Sequence, residues 1–391
     1  MKDKLYAKIQ QEFNDIADTF IEKEIDLLAD ENLITFQSKY NLHEIQPYYA
    51  ELANEVLSSD AKLTIESEED FNPVTDDLYE YKINLENRRA YLKRQHYGGG
   101  IFYSTIYEYT EEYHKSYSVY QNKEIVKMTN LSYLYLKEGL PHKFVECTQY
   151  GISLKTYRCE GEFIKSYKLE WPHHDQYCIG ELEFNQAGIL QTITESVSDG
   201  RVRIIFDRSA ADKDIEKTLI ELENFLVENI ADQILEKIKI SEPVYCILFE
   251  YTMQGPFPPT IAFGTISDID EEFENKKLYE LYNAPDMKYF SEQDGQCASN
   301  IDFYPEEIQA NYLAIDNYTE KTVSAADEVF VLWENQIFET YLKVCKRLMH
   351  FDFSKSFTPT EHFLVMARDF DQGNEEAFYK KMQDYKKTKL L

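Results

Sequence analysis

The sequence predicts an α+β protein with N-terminal helices, a central antiparallel β-meander and a C-terminal α+β domain. Three observations carry this. Apolar residues recur at helical spacing over 3–29. The period then changes to alternation over about 61–207, with glycines between the alternating stretches. Beyond 208, helical stripes and short continuous apolar runs return. The expected division is a helical segment at 1–60, a meander domain at 61–208 and an α+β domain at 209–391.

Leu5, Ile9, Phe13, Ile16, Phe20, Leu27 and Leu28 line one face of the first helix, with charge on the rest. A second helix is expected at 44–58 through Ile45, Tyr49, Leu52 and Val56, with Pro47 in its first turn. Leu63 and Ile65 begin the alternation, and Tyr79, Tyr81, Ile83 and Leu85 continue it. Residues 101–109 are rich in β-formers. Short strands then follow one another, separated by Gly139, Gly151, Gly161, Gly180, Gly188 and Gly200.

The units resemble one another. Residues 133–140 and 182–190 each read as an alternating strand, a polar turn ending in Gly and an apolar residue opening the next strand. Residues 161–167 open a strand in the same way, which makes a degenerate hairpin repeat. Tyr suits such a sheet because its ring packs while its hydroxyl stays wet. Residues 201–206 close it.

Ser209-Ala210-Ala211-Asp212 resembles a capping box before a helix reaching about Lys239, with Leu219, Leu222, Leu226, Ile230 and Ile234 on its apolar stripe. Residues 244–249 form an unbroken apolar run of strand length, so a central strand is expected there. Residues 254–259 read as a turn or rigid loop, and 260–265 as the partner strand. Helices are expected from near Pro305 and over 324–350, where Val329, Trp333, Ile337, Tyr341, Cys345 and Met349 recur at every fourth position. A strand at 363–367 and a helix from Glu375 to about Lys386 complete the chain.

A chain of 391 residues suits two or three domains. The 31 Tyr and 24 Phe speak against an acidic disordered polymer. Against 41 Lys+Arg stand 71 Asp+Glu, a net charge of −30. That excess repels nucleic acid and anionic membrane and favours a basic partner. Met1-Lys2-Asp3-Lys4 leads into a charged pattern without an apolar stretch, so no signal peptide is expected. No run approaches the roughly 18 apolar residues of a membrane span. The six cysteines are scattered singly, so reduced thiols and a cytoplasmic setting are expected.

The densest set of ligand types is His173, His174, Asp175 and Cys178, whose imidazoles, carboxylate and thiol suit zinc. Against this, adjacent histidines on a strand point to opposite faces, and a polar loop explains the segment as well. Cys297 lacks a cysteine-hydrolase context and reads as a loop or core thiol. Asp369, Asp371, Glu375 and Glu376 surround Gly373 without the spacing of a calcium loop, and the acids suit a helix N-terminus. Gly98-Gly99-Gly100 has no phosphate-loop Lys-Ser/Thr and reads as a bend. The Tyr-rich stretch 97–135 has acidic rather than basic interleaving, which does not fit base stacking. No catalytic residue and no cofactor is assigned.

The glycine-punctuated strands over 130–195 resemble the hairpin repeats of antitoxin-like bacterial proteins related to the MORN-repeat group. The stretch from 244 onward, with its central strand, Trp333 helix and late strand, is similar to bacterial domains found beside polymorphic toxins and assumed to be immunity proteins. The resemblance implies a protein that neutralises a basic toxin by steric and electrostatic blocking. The acidic clusters 66–70 and Asp268, Asp270, Glu271 and Glu272 are candidate contacts. Two alternatives stand beside this: an enzyme or metal-binding protein built around His173, His174, Asp175 and Cys178, and a scaffold that pairs through the meander edge.

Overall fold

The structure is a computed structural model. It describes residues 2–38, 41, 43–53, 78–97, 101–122, 125–172, 174–269, 273, 276–290, 300–323 and 327–389. The chain forms two compact units, Met1–Phe206 and Asp207–Leu391. The mixed α+β class is as the periodicities predict.

The first unit holds helices α1 (Lys2–Asp15) and α2 (Ala17–Ala29), the short helix α3 (Tyr49–Leu52) and one sheet. Its twelve strands are β1 (Ile34–Ser38), β2 (Leu78–Asn84), β3 (Arg89–His96), β4 (Phe102–Tyr109), β5 (Tyr113–Gln121), β6 (Val126–Lys137), β7 (Leu140–Thr148), β8 (Gly151–Glu160), β9 (Phe163–Glu170), β10 (Tyr177–Phe184), β11 (Leu190–Val197) and β12 (Val202–Asp207). They lie side by side in chain order, and every recorded pairing in the sheet is antiparallel. The sheet is thus a meander throughout. The β6–β7 hairpin shows how the glycine turns work. Glu138 and Gly139 alone separate the strands and both take positive φ, 55° and 78°, which a two-residue turn matched to strand twist requires.

The stretch 1–60, expected as helical, contains β1, and α1 and α2 belong to the same unit as the sheet. Ile9, Phe13, Ile16 and Phe20 bury against Leu92, Ile106, Tyr117, Leu131 and Val145 on one face of the sheet. Ion pairs seal this contact. Lys115 meets Glu12 at 2.7 Å, Lys23 meets Glu108 at 2.8 Å, and buried Glu24 accepts from Ser104 Oγ at 2.6 Å and Gln121 Nε2 at 2.9 Å. Burial pushes the Glu12 carboxyl up, but hydrogen bonds from Lys115 and Tyr133 outweigh it and hold the group below its usual range.

The helix expected over 44–58 is a single turn at 49–52 within the described residues. Side-chain contacts to the sheet compete with the helical path. Lys93 Nζ donates to Glu44 and, at 3.2 Å, to Asn41 Oδ1. Tyr107 Oη donates to His43 O at 3.1 Å, and Tyr48 takes φ 57°. This segment lies on the face opposite α1 and α2. The His43 ring packs on Tyr107 of β4 at 4.8 Å between centroids, and the Tyr48 ring packs on Phe184 of β10 at 6.0 Å. Residues 43–48 thus reach across this face from β4 to β10, and the hollow they roof makes the face concave there.

The second unit has helices α4 (Ile215–Lys237), α5 (Leu278–Leu281), α6 (Glu306–Val323), α7 (Asp327–Leu348) and α8 (Glu375–Lys389), and strands β13 (Pro243–Thr252), β14 (Gly255–Thr265) and β15 (Thr358–Asp369). The strand β13 is central, antiparallel to β14 and parallel to β15. It is buried from Val244 to Tyr251, as its unbroken apolar run predicts. Trp333, Ile337, Tyr341 and Cys345 of α7 are buried, whereas Val329 is exposed.

Two local expectations are corrected. The cap of α4 is Asp214, which accepts from Lys217 N at 3.0 Å; 208–212 form a separate 3₁₀ turn capped by Asp207. Residues 255–259 are strand, not loop. Pro256, Pro258 and Pro259 are tolerated because β14 is an edge strand, where a missing N–H donor breaks no inner ladder.

Candidate functional site

The concave face of the first unit carries the site with the most built geometry. Over most of this face large side chains fill the space: Tyr81, Tyr107, Leu134, Tyr157 and Tyr167 are buried there. Over β4–β6 small polar residues replace them. Thr105, Ser116 and Ser132 are buried, with Ser118 and Asn130 half-buried beside them. Their smallness leaves a cavity of about 380 Å³ between this floor and the 44–49 segment.

The floor groups satisfy one another. Thr105 Oγ1 and Ser118 Oγ lie 2.8 Å apart. Ser132 Oγ donates to Asn130 Oδ1 at 2.6 Å, and Asn130 Nδ2 donates to Glu146 Oε1 at 2.6 Å. Lys93 and Glu44 neutralise each other at the edge. Tyr97 and Tyr103 form a side wall, their ring centroids 5.5 Å apart. A second cavity, about 270 Å³, shares Glu146 with the first and is lined also by Tyr150, Ser153, Trp171 and His174. Hydroxyls and amides that both donate and accept suit recognition of a polar ligand.

The residues singled out from sequence are dispersed. His173 lies outside the described residues. His174 and Asp175 are exposed between β9 and β10, while the Cys178 thiol is buried in β10. Burial pushes that thiol up, and Glu195 adds to the shift, which disfavours the thiolate a metal would need. Among the described residues no three His, Cys, Asp or Glu side chains gather as a metal site. Cys297, 98–100, 66–70 and 270–272 also lie outside the described residues. Asp268 caps a 3₁₀ turn, accepting from Thr265 N at 2.7 Å. Asp369 is buried and accepts from Asp371 N at 3.0 Å, leading into α8, whose first turn holds Glu375 and Glu376. Arg368 lies between Glu250 at 3.8 Å and Glu375 at 3.6 Å.

No family model, curated protein or solved structure matches the chain. Among the described residues no helix is long and apolar enough to cross a membrane.

A second surface stands out for charge. Along α4, Glu216, Ile220, Asn224, Glu228, Asp232 and Glu236 follow at every fourth position, and all are exposed. The apolar stripe predicts this helix, and the acidic stripe opposite it has the same fourth-residue spacing in the sequence. The polar floor was harder to find, because its residues sit on separate strands and meet only through the pairing register.

Proposed function

We propose that this chain is a cytoplasmic binding protein that docks a basic protein partner on its acidic surface. Following the resemblance of its repeats and its last domain, we propose further that it is an immunity protein, blocking a basic toxin by covering its cationic site. The observation that carries the reading is the outer face of α4. Glu228, Asp232 and Glu236 are like charges at consecutive i, i+4 positions, offset in part by Arg347 of α7, which lies 3.7 Å from Glu228. Each such pair destabilises a helix by about 0.2–0.5 kcal/mol. The face keeps a net acidic excess, and such a field steers an oppositely charged protein and sets its orientation. Ile220, 55% exposed within this stripe, supplies an apolar contact among the acids.

The test is capture from native lysate with the tagged chain and with the triple variant Glu228→Gln, Asp232→Asn, Glu236→Gln. Both are run at about 0.05 M and about 0.5 M salt, spanning weak to strong screening. The expected result is one basic protein held at low salt, released at high salt and bound at least about tenfold more weakly by the variant, a change of about 1.4 kcal/mol. That protein is expected to arrest growth when expressed alone and to be tolerated with this chain. Equal capture by variant and parent at low salt, or capture by the parent that high salt does not weaken, overturns the reading.

A further inference from the structure

We propose that the concave face of the first unit binds a neutral oligosaccharide, an activity separate from the docking of a basic protein and independent of it. The two cavities, about 380 and 270 Å³, are neighbours that share Glu146 as a lining residue, so a chain of sugar units can occupy one or both. Each is near or within the size of ordinary small-ligand pockets.

The floor selects the chemistry. Thr105, Ser116, Ser118, Asn130 and Ser132 present hydroxyls and an amide, groups that donate and accept at once. Sugar hydroxyls do the same, so each can replace one floor hydrogen bond with another and leave nothing unpaired. Apolar side chains at these inward positions would fill the space and bury more hydrophobic area, as Tyr107 and Leu134 do on the same face. The polar floor therefore costs stability and creates room.

Charge narrows the choice further. Lys93 is held by Glu44, and the carboxylate of Glu146 lines both cavities. A carboxylate accepts from a pair of neighbouring hydroxyls and repels phosphate and carboxylate groups. Nucleic acid and acidic glycans are disfavoured on this ground, in line with the net charge of −30.

Aromatic rings stand at both ends. Tyr97 and Tyr103 flank the larger cavity. Trp171 and Tyr150 line the smaller, and Tyr150 is 90% exposed. Such a ring offers an apolar face for the C–H side of a pyranose with a polar edge for its hydroxyls. An extended peptide is the competing occupant. The floor strands already have partners on both sides, so a peptide would find no free strand edge to pair with here.

The test titrates the full chain with cellotetraose, maltotetraose, N,N′,N″,N‴-tetraacetylchitotetraose and mannotetraose. An oligo-dT and a neutral Gly/Ser peptide serve as comparators. Trp171 reports on the site because it lines the smaller cavity, whereas Trp333 is buried in the second unit. At least one glycan is expected to shift the fluorescence saturably. The floor variant Ser118→Val with Ser132→Val, read by calorimetry, is expected to weaken that glycan at least about tenfold, or about 1.4 kcal/mol. Glu146→Gln, which keeps the shape, is expected to weaken it as well. Unchanged circular dichroism and an equal or higher unfolding midpoint show that these variants fold. No response to any of the four glycans, a response that survives both variants, or tighter binding of the peptide or oligo-dT overturns the proposal.

Discussion

The ring of Tyr167 occupies the space that a side chain on Gly180 would need. A Cβ built on Gly180 would fall 2.2 Å from Tyr167 Cζ. The two residues are direct partners across β9 and β10, and the ring crosses over Gly180 so that its hydroxyl reaches Glu195 on β11 at 2.6 Å. Gly180→Ala must displace the ring and lengthen that hydrogen bond. The expected loss is about 1–3 kcal/mol, read from urea unfolding followed by Trp171 fluorescence. In a Tyr167→Ala background the same change is expected to cost less than half as much. An equal cost in both backgrounds would show that the ring is not the obstacle.

His43 ties the 41–49 segment to the sheet. Its Nε2 lies 2.7 Å from Tyr109 Oη. Burial, aided by the nearby charges of Lys93 and His114 and opposed by Glu44, pushes the imidazole down to about 4. The unfolded segment therefore takes up a proton near pH 6.5 that the folded one refuses. Its stabilisation is full above pH 6.5 and is lost as the pH falls toward 4, by about 3 kcal/mol in all. Amide exchange across 43–53 is expected to speed up over that window relative to β6 and β7. His43→Phe is expected to flatten the dependence.

Asp316 on α6 behaves in the opposite sense. Its Oδ1 is buried without a hydrogen-bond partner among the described residues, and burial, with Glu320 nearby, raises the carboxyl to about 7. The fold binds this proton more tightly than the unfolded chain does. The associated stability is present below about pH 4 and is lost as the pH rises through about 7, on the order of 4 kcal/mol. Asp316→Asn is expected to raise the unfolding midpoint of the second unit at about pH 8 and to change it little at about pH 4. A midpoint lowered equally at both pH values would remove the titration from the account.

The α4 face predicts a trade between stability and binding. Asp232→Asn relieves two like-charge pairs, with Glu228 and Glu236, and buries nothing. Thermal unfolding is expected to show a gain of roughly 0.4–1 kcal/mol at low salt, shrinking as salt is added. Capture of a basic partner is expected to weaken in the same variant. A variant that is less stable would mean that Asp232 has a structural role.

Much of the fold was legible because periodicity reports burial. The stripe Ile9, Phe13, Ile16, Phe20 and the run 244–249 each have a single physical reading, and both are buried as expected. The strand β1 was missed because five residues carry too short a pattern beside two long helices. The expected helix over 44–58 misled for another reason. Its apolar residues contact a concave sheet, and that contact, not hydrogen bonding within the segment, decides its path. The polar floor is a property of register. Ser116 faces Ser132, and Thr105 faces Ser118, only after β4, β5 and β6 have paired.

Strand order equal to chain order also sets a timetable for synthesis. Each new hairpin can close on the one before it, so most partners are near in sequence and the ribbon can grow as the chain emerges. The first helices are the exception. Ile9, Phe13 and Phe20 are made first, yet the surface that covers them extends to Val145 and Leu154. For the whole interval of translation between them, the apolar stripe of these helices lacks its cover, and that interval is when the nascent chain is most open to aggregation.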